Sequence, residues 1–359
     1  MAFVRSKPFN DLPGLPPGLV LETTSVLKKC IGARAALAEL KGAGGLIPNQ
    51  SLLIRSIGLQ EARLSSEIEN IVTTSDDLYQ ALADSIDKAN PATKEVLRYQ
   101  EALAMGYRTV VQKPILTTNL FCDIATIIKQ HDMGIRTIPG TMIVDGNKQA
   151  IYTPPDGEIL IRNKLKNLEH FIHENQGLDP LVKLAVMHYQ FEAIHPFTDG
   201  NGRTGRILNI LFLIQQQLLT VPVLYLSRYL IEHKNEYYAG LRDVTENSNW
   251  EQWIEFILVG IEQTAKDTRE KIFEIKAAMD ETQELIKEKL PKIYSKDLVE
   301  TLFYHPYCKV RFLEERDIAR RQTASNYLHL LEEIGILQSV RVGRENYFIN
   351  RRLIGVLAR

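Results

Sequence analysis

Apolar residues recur every three or four positions along most of the chain. This spacing is clear between residues 24 and 42, where it predicts an amphipathic helix. The stretch 49–70 shows the same pattern and predicts a second helix, with Asn49 or Ser51 as its N-cap. The amino-terminal third is therefore predicted to be helical.

Prolines interrupt this pattern twice. The proline-rich segment 7–19 predicts an extended stretch rather than a packed element. A second break is predicted near Pro91, between helices that cover the region from 76 to 110. No strand-rich stretch is found before residue 130.

A β-type pattern replaces the helical one at residues 136–153. An Asp-Gly pair, Asp145-Gly146, separates two short apolar runs, and the second run covers Ala150 to Thr153. Asp-Gly between such runs is typical of a hairpin turn. We therefore expect a β-hairpin here.

Helical spacing resumes after the hairpin. Asp179 followed by Pro180 predicts a helix start, and one apolar stripe of that helix comprises Leu181, Leu184, His188, Phe191 and Ile194. The next stretch, 207–219, is almost wholly apolar and predicts a buried helix. Two more helices are predicted over 228–244 and 249–290, and the second becomes highly charged, as a linker helix would.

The pattern changes again after about residue 291. Short helices are predicted over 315–335, followed by a hairpin over 336–350 that turns near Gly343. Helix-turn-helix followed by a β-wing is the natural interpretation. The fold is thus predicted to be mainly α, with one β-hairpin and a small carboxy-terminal winged helix-turn-helix domain.

Composition excludes several classes of protein. Of the 359 residues 45% are apolar and the formal net charge is −1, which favours a globular chain without a global attraction to nucleic acid or membrane. No apolar run is long enough to span a bilayer, and no signal peptide is recognisable. We expect a cytoplasmic protein, since the three distant cysteines do not suggest disulfides: Cys30, Cys122 and Cys308.

The segment HPFTDGNGRTGR, residues 195–206, carries the densest chemistry. Its glycines Gly200, Gly202 and Gly205 match G-x-G-x-x-G, but a dinucleotide fingerprint follows a strand and has an acidic residue about 20 positions later. Here the preceding segment is predicted to be helical, and no acidic residue stands about 20 positions after Gly205. A phosphate-binding P-loop would need lysine where Arg203 stands. Both nucleotide folds are therefore excluded.

The individual residues of this segment suggest phosphate chemistry. The GNG stretch would offer free backbone N–H groups at a helix start, an anion site. Arg203 and Arg206 lie in the first turn of that helix and suit phosphate oxygens, and Asp199 suits Mg²⁺. His195 is a candidate base for a hydroxyl group, and Phe197 a core anchor. The alternative is a glycine-rich turn with surface arginines, which does not explain why all these groups coincide.

At every fixed position the segment resembles the signature of the Fic family, H-x-F-x-(D/E)-G-N-G-R-x-x-R, and the resemblance extends over about 20–275. It implies an α-helical Fic core and AMP transfer from ATP to a Ser, Thr or Tyr hydroxyl of a protein. His195 would then be the catalytic base, Asp199 the Mg²⁺ ligand, and Asn201 would orient the α-phosphate. The implied nucleotide-binding residues are Gly200, Asn201, Gly202, Arg203, Thr204, Gly205, Arg206 and Tyr238.

One position at which this chain differs from related proteins narrows the range of expected reactions. Doc relatives, which transfer phosphate, typically carry lysine where this chain has Gly202, so kinase activity is not expected. Transfer of phosphocholine or UMP stays open. Tyr237 and Tyr238 fall on different faces of a helix, and the resemblance places Tyr238 against the nucleotide, the alternative being two packing aromatics.

The hairpin resembles the flap with which the family positions a target segment by strand addition; an ordinary surface hairpin is the alternative. The residues expected to position the target are Thr141, Met142, Ile143, Val144 and Tyr152.

The stretch SSEIEN resembles the family's inhibitory motif (S/T)-x-x-x-E-(G/N). Ser65, Glu69 and Asn70 stand at its fixed positions. A glutamate placed beside Arg206 could pair with it bidentately, so that ATP would bind in an unproductive pose. The alternative is a solvated helical glutamate flanked by capping residues.

The carboxy-terminal residues 309–359 contain ten Lys or Arg against six Asp or Glu. Four arginines fall in the expected recognition region and wing: Arg320, Arg321, Arg341 and Arg344. DNA binding is a secondary expectation, since winged helices also bind proteins.

We thus expect four regions: an amino-terminal helical region with the inhibitory helix at 1–115, a Fic catalytic core at 116–275, a linker helix at 276–290 and a winged-helix domain at 291–359. The predicted partner is a target protein, with self-modification and a homodimer left open. The alternatives to an autoinhibited AMP transferase are a nucleotide-sensing DNA-binding regulator and a hydrolase that removes AMP through the same site.

Overall fold

The computed structural model describes residues 3–47, 49–144, 146–174, 177–342 and 345–358. Its helices are α1 Thr24–Gly44, α2 Gln50–Ile68, α3 Ser75–Ala83, α4 Pro91–Gln112, α5 Thr118–Lys129, α6 Glu158–His173, α7 Pro180–Ile194, α8 Asn201–Gln215, α9 Leu226–Glu232, α10 Lys234–Asn247, α11 Trp250–Lys289, α12 Lys296–Tyr304, α13 Val310–Glu315, α14 Arg321–Glu333 and α15 Arg351–Ala358. Its strands are β1 Ile143–Val144, β2 Ala150–Tyr152, β3 Tyr307–Cys308, β4 Gln338–Val342 and β5 Glu345–Ile349. The mainly α fold is confirmed.

Local capping signals fix the helix starts. Asn49, not Ser51, caps α2, because its side chain accepts a hydrogen bond from the backbone N–H of Ser51 at 3.2 Å. Asp179 caps α7 in the same way through the N–H of Leu181, and Pro180 occupies the first helical position. Each cap satisfies a donor that the helix itself leaves unpaired.

One buried stripe was predicted for the central helix α7, but the helix is buried on all sides. Thirteen of its fifteen residues are buried, because α6, α8 and α11 and the amino-terminal segment all pack against it. Helix α8 runs back from α7 and is equally enclosed. These two buried helices therefore hold the loop 195–200 between them.

The proline-rich segment is packed, so the prediction of an unpacked stretch was wrong. Leu12 and Leu15 are buried. The backbone of Leu15 exchanges two hydrogen bonds with the side chain of Asn167, at 2.7 and 3.0 Å, and Gln190 donates to the carbonyl of Pro13 at 2.8 Å. Prolines exclude a helix here, but polar side chains satisfy the extended backbone instead.

The prediction of a single helix over 228–244 is also wrong, since this stretch forms two helices, α9 and α10, that are separated at His233. By contrast, α11 is one continuous helix of 40 residues that packs along α1 and crosses the predicted boundary at 275/276. The region boundaries stay predictions.

The carboxy-terminal region combines α12 to α15 with an antiparallel sheet in the order β3-β5-β4. The strands β4 and β5 form the expected hairpin. Its predicted turn at Gly343, like Arg344 and like Asp145 of the first hairpin, lies outside the described residues. Tyr307 donates to Asp76 at 2.7 Å, and Lys309 pairs with Asp84, so this region docks on α3.

Candidate active site

The segment 195–206 forms a helix–loop–helix whose turns depend on two left-handed residues. His195 ends α7 with φ 50° and ψ 60°, and Gly200 caps α8 with φ 80°. The side chain of Asn201 accepts from the N–H of Phe197 and donates to its carbonyl, both at 2.8 Å. Asn201 therefore braces the loop. The expected contact of Asn201 with the α-phosphate stays a prediction.

Arg136 fixes the backbone around the candidate base. Its Nε donates to the carbonyl of His195 at 2.8 Å, and its backbone N–H donates to the carbonyl of Pro196 at 2.9 Å. Burial, reinforced by the charge of Arg136, lowers the pKa of His195 to about 4. The imidazole is therefore neutral at physiological pH, the form that can accept a proton.

Arg203 and Asp199 belong to one cluster of charges at the loop between α7 and α8. Arg203 Nη1 lies 2.6 Å from Glu95 Oε1, and Arg203 Nη2 lies 3.7 Å from Asp199 Oδ1. Lys129 Nζ lies 2.5 Å from Asp199 Oδ2 and 3.3 Å from Glu95 Oε1. Burial alone would raise the pKa of Asp199, but Lys129 and Arg203 outweigh it, so that pKa is below its usual value and the group is a carboxylate.

Arg206 is buried, and its guanidinium group donates hydrogen bonds to two residues, Ser65 on α2 and Glu69 at its C-cap. Nε donates to Ser65 Oγ at 2.8 Å, and Nη2 donates to the Ser65 carbonyl at 2.9 Å and to Glu69 Oε1 at 2.8 Å. The expected bidentate pair with Glu69 is therefore wrong, because Ser65, one turn earlier on the same helix face, takes one edge of the fork. Asn70 follows with φ 62°, a conformation that asparagine tolerates, and ends the helix.

The Glu69 carboxylate lies over the expected anion loop. A Cβ added at Gly202 would collide with Glu69 Oε1 and would lie 2.9 Å from Arg206 Nη1. The absence of a side chain at Gly202 is what lets the carboxylate approach the loop. A negative group thus lies directly against the expected anion loop.

Thr204 and Gly205, expected among the nucleotide-binding residues, are buried and do not line the cavity. A Cβ at Gly205 would lie 2.5 Å from Glu192 Oε1 and 3.0 Å from Phe191. Gly205 therefore allows close packing of α7 and α8. Phe197 is fully buried, as predicted for an anchor.

A cavity of about 410 Å³ opens beside these groups. Its polar end is formed by Glu69, His195 and Arg206. Its apolar walls include Tyr152, Tyr189, Tyr238 and Leu241. Tyr238 is 43% exposed whereas its neighbour Tyr237 is buried in the core, so the two tyrosines divide as predicted. Such a cavity suits a ligand with one apolar ring and one anionic end.

The hairpin forms one edge of the cavity. Ile143 pairs with Tyr152 and Val144 with Ala150, and all but Ala150 line the cavity. Thr141 and Met142, also expected to position the target, precede β1. Tyr152 donates to the carbonyl of Ala193 at 2.7 Å, which ties the hairpin to the turn before His195. Target positioning by the hairpin stays a prediction.

Several residues of the site were missed at the level of sequence. Phe3 lines the cavity and stacks on Tyr152 with ring centroids 5.9 Å apart. Glu192, one turn before His195, has a buried Oε1 without a hydrogen-bond partner among the described residues, and burial raises its pKa to about 7. The available signal for Glu192 was an acidic residue in the mostly apolar run of α7, in which Lys183 is the other charged residue. Arg136, Glu95 and Lys129 gave no signal, because they are 59 or more residues from the groups of the segment 195–206 that they contact.

The described residues contain no group of three or more His, Cys, Asp or Glu side chains placed to hold a metal ion. Asp199, whose side chain is 60% exposed, is a hard oxygen ligand on the loop between α7 and α8. It fits a Mg²⁺ ion only if most of the ligands come from a bound phosphate and water.

Among the described helices, none combines the length and apolar character needed to cross a membrane.

Three family models match the chain in sequence order. Residues 27–108 match the Fic/DOC family N-terminal model, 117–213 the Fic/DOC family model, and 278–353 the C-terminal domain of the SoFic-like protein adenylyltransferases. Together they cover the amino-terminal helices, the helix–loop–helix and the carboxy-terminal region.

Curated relatives carry matching names. The chain is 30% identical over 107 residues to a probable protein adenylyltransferase of Aquifex aeolicus, a match that covers 30% of each protein. It is 37% identical over 92 residues to protein adenylyltransferase fic-1 of Caenorhabditis elegans, which covers 25% of this chain and 17% of that protein. The chain thus matches less than a third of the length of these relatives.

Solved structures agree on the fold. A Fic family protein from Desulfovibrio desulfuricans G20 matches 93% of this chain and 98% of its own with a TM-score of 0.56 and 19% identity. Residues 134–508 of Fic-1 from C. elegans match 68% of this chain and 71% of their own with a TM-score of 0.51 and 18% identity. With its signature motif, family models and fold in agreement, the chain belongs to the Fic/DOC family.

Proposed function

We propose that this protein transfers AMP from ATP to a hydroxyl group of a target protein and that Glu69 restrains the reaction. The observation that carries the proposal is the polar end of the cavity. There the neutral His195 faces the anion loop at Gly202, and the Glu69–Arg206 pair occupies the loop. The names of the curated relatives support AMP transfer in particular.

In the proposed reaction the nucleoside occupies the apolar walls beside Tyr238. The phosphates lie over the N–H groups of residues 200–202, of which Gly202 lines the cavity. Arg206, which also lines it, and Arg203 would supply the cations. His195 takes the proton of the target hydroxyl, whose oxygen bonds to the α-phosphorus as the bond to the bridging oxygen breaks and pyrophosphate leaves. A Mg²⁺ ion held by Asp199 would neutralise charge on the leaving group.

Glu69 opposes this arrangement in two ways. Its carboxylate takes one donor of Arg206, and it places negative charge where the phosphates would lie. Burial alone would raise the pKa of Glu69, but the charge of Arg206 outweighs it and lowers that pKa. The restraint is therefore present at neutral pH and is lost only as the pH falls through this lowered value.

The hairpin would align the target, because the edge of β1 can accept an extended segment by main-chain hydrogen bonds. The carboxy-terminal region has the helix and strand order of a winged helix, and we propose a partner-binding role for it. The alternatives of a nucleotide-sensing regulator and an AMP-removing hydrolase are not favoured, since the relatives are named as transferases.

The test is the chemical identity of the transferred group. The Glu69→Gly chain is incubated with a cell lysate and Mg²⁺, separately with ATP and with UTP, and modified peptides are analysed by mass spectrometry. We expect an adenylyl group on Ser, Thr or Tyr, which the Glu69→Gly/His195→Ala double variant does not form. A uridylyl group at equal yield, or phosphate alone, would overturn AMP transfer. The same spectra report self-modification.

A further inference from the structure

Lys129 is a cation outside the signature motif that lies on the anion loop. It is the last residue of α5, and Gln130 ends that helix with φ 57°. Its stem crosses Gly200, where an added Cβ would lie 3.6 Å from both Cγ and Cδ of Lys129. The ammonium group is thus held beside the loop by a helix end and by packing.

Two carboxylates hold this ammonium group. Asp199 Oδ2 lies 2.5 Å and Glu95 Oε1 lies 3.3 Å from Lys129 Nζ, while Glu95 also accepts from Arg203 at 2.6 Å. The four side chains form one chain of alternating charges, Asp199–Lys129–Glu95–Arg203. The formal charges of these four side chains add up to zero, so the cluster is electrically neutral without a metal ion.

This balance creates a conflict at Asp199. The carboxylate that suits Mg²⁺ already has a cation at ion-pair distance, and a divalent ion on the same oxygen would be repelled by it. A nucleotide resolves the conflict, because its phosphates bring negative charge for both cations. Lys129 needs only to turn from Asp199 toward the adjoining loop that its stem already crosses.

We propose that Lys129 is the resident counter-ion of Asp199, which keeps a divalent cation from binding alone and then binds the phosphates when metal and nucleotide arrive together. Glu95 acts as the positioning residue, since it holds both Lys129 and Arg203 at the loop. This inference rests on the proposed function for the identity of the ligand. Its first test depends on the metal alone.

The first test is a titration of the nucleotide-free chain with Mn²⁺, read by the electron paramagnetic resonance of free Mn²⁺. In Lys129→Met the repulsion by a unit charge about 4 Å away is gone, so we expect Mn²⁺ affinity to rise at least about tenfold. Lys129→Arg should restore the weak binding, and Lys129→Met/Asp199→Asn should lose the gain. Lys94→Met, on α4, removes the same charge elsewhere and should behave as the parent. Equal Mn²⁺ affinity in Lys129→Met and the parent would overturn the counter-ion role.

The second test measures binding of a non-hydrolysable ATP analogue with saturating Mg²⁺ by calorimetry, in the Glu69→Gly background. Loss of one charge-assisted contact to phosphate should weaken binding about tenfold in Lys129→Met and leave Lys94→Met unchanged. Unchanged affinity in Lys129→Met would overturn phosphate binding by Lys129. Because neither readout requires transfer, failure of AMP transfer would not mimic failure of this inference.

Discussion

Replacement of Glu69 by glycine removes the negative group from the anion loop and leaves Arg206 partly free. Arg206 keeps its two contacts with Ser65, at 2.8 and 2.9 Å, so its guanidinium stays in place and only the Nη2 contact to Glu69 is lost. Glu69 is the C-cap of α2 with φ −90°, so glycine fits without strain. The variant therefore changes charge at the loop more than it changes structure.

The size of the effect follows from this one contact. A hydrogen bond between charged groups contributes about 1.5–3 kcal/mol. The Glu69 side chain is 37% exposed, and water weakens such pairs, so we take the lower end, about 1.5–2 kcal/mol. Since 1.4 kcal/mol is a factor of ten, productive ATP binding should improve about 10- to 30-fold.

The assay is the initial rate of label transfer from ATP across ATP concentrations, for the parent and Glu69→Gly. Glu67→Gly is the matched control: it makes the same substitution two residues earlier in α2, where the glutamate pairs with Arg63 at 3.2 Å and not with Arg206. It should resemble the parent. If Glu67→Gly activates as strongly, loosening of α2 rather than the Arg206 contact explains the gain. If Glu69→Gly equals the parent, the restraint does not exist.

Four further outcomes are expected. In the Glu69→Gly background, the transfer rate should not vary between about pH 6 and 8 and should fall only toward pH 4, where His195 becomes protonated; a midpoint near pH 6.5 would contradict the burial of this group. Asn201→Ala leaves the buried backbone groups of Phe197 unpaired and should lower the free energy of unfolding by about 1–3 kcal/mol in urea titrations. Gly205→Ala should destabilise by a similar amount, about 1–3 kcal/mol, through overpacking between α7 and α8, and an unchanged melting temperature would refute that. Phe3→Ala should weaken binding of an ATP analogue about 2- to 10-fold in calorimetry, because its ring lines the cavity and stacks on Tyr152; unchanged affinity would refute a role of Phe3 in the site.

Local signals in the sequence were sufficient to predict those parts of the structure that depend on residues close together in the chain. The Asp179-Pro180 pair favours a helix start through local contacts alone, and the glycine at 200 allows a left-handed cap. The contact of the α2 segment with Arg206 followed from the resemblance, not from these rules. Its geometry differed from the expectation, because the share of the guanidinium taken by Ser65 depends on how α2 lies against α8.

Contacts between distant segments were not predictable in this way. Arg136 lies in a short β-type run, and only the fold shows that it holds the carbonyl of His195. The chain of charges through Glu95 and Lys129 joins α4, α5 and the loop, which are separated by long stretches of sequence. The prolines of the amino-terminal segment excluded helix correctly, but they carry no information on the side chains that satisfy its backbone.

The most direct test of AMP transfer under restraint is a paired labelling experiment. The Glu69→Gly chain receives ATP labelled either at the α- or at the γ-phosphate, together with a cell lysate and Mg²⁺, beside the Glu69→Gly/His195→Ala variant. The account predicts protein-bound label from the α-phosphate in excess of that seen with the double variant, and equal label from the γ-phosphate in the two samples. An excess of γ-label over the double variant, or α-label that survives loss of His195, would contradict it.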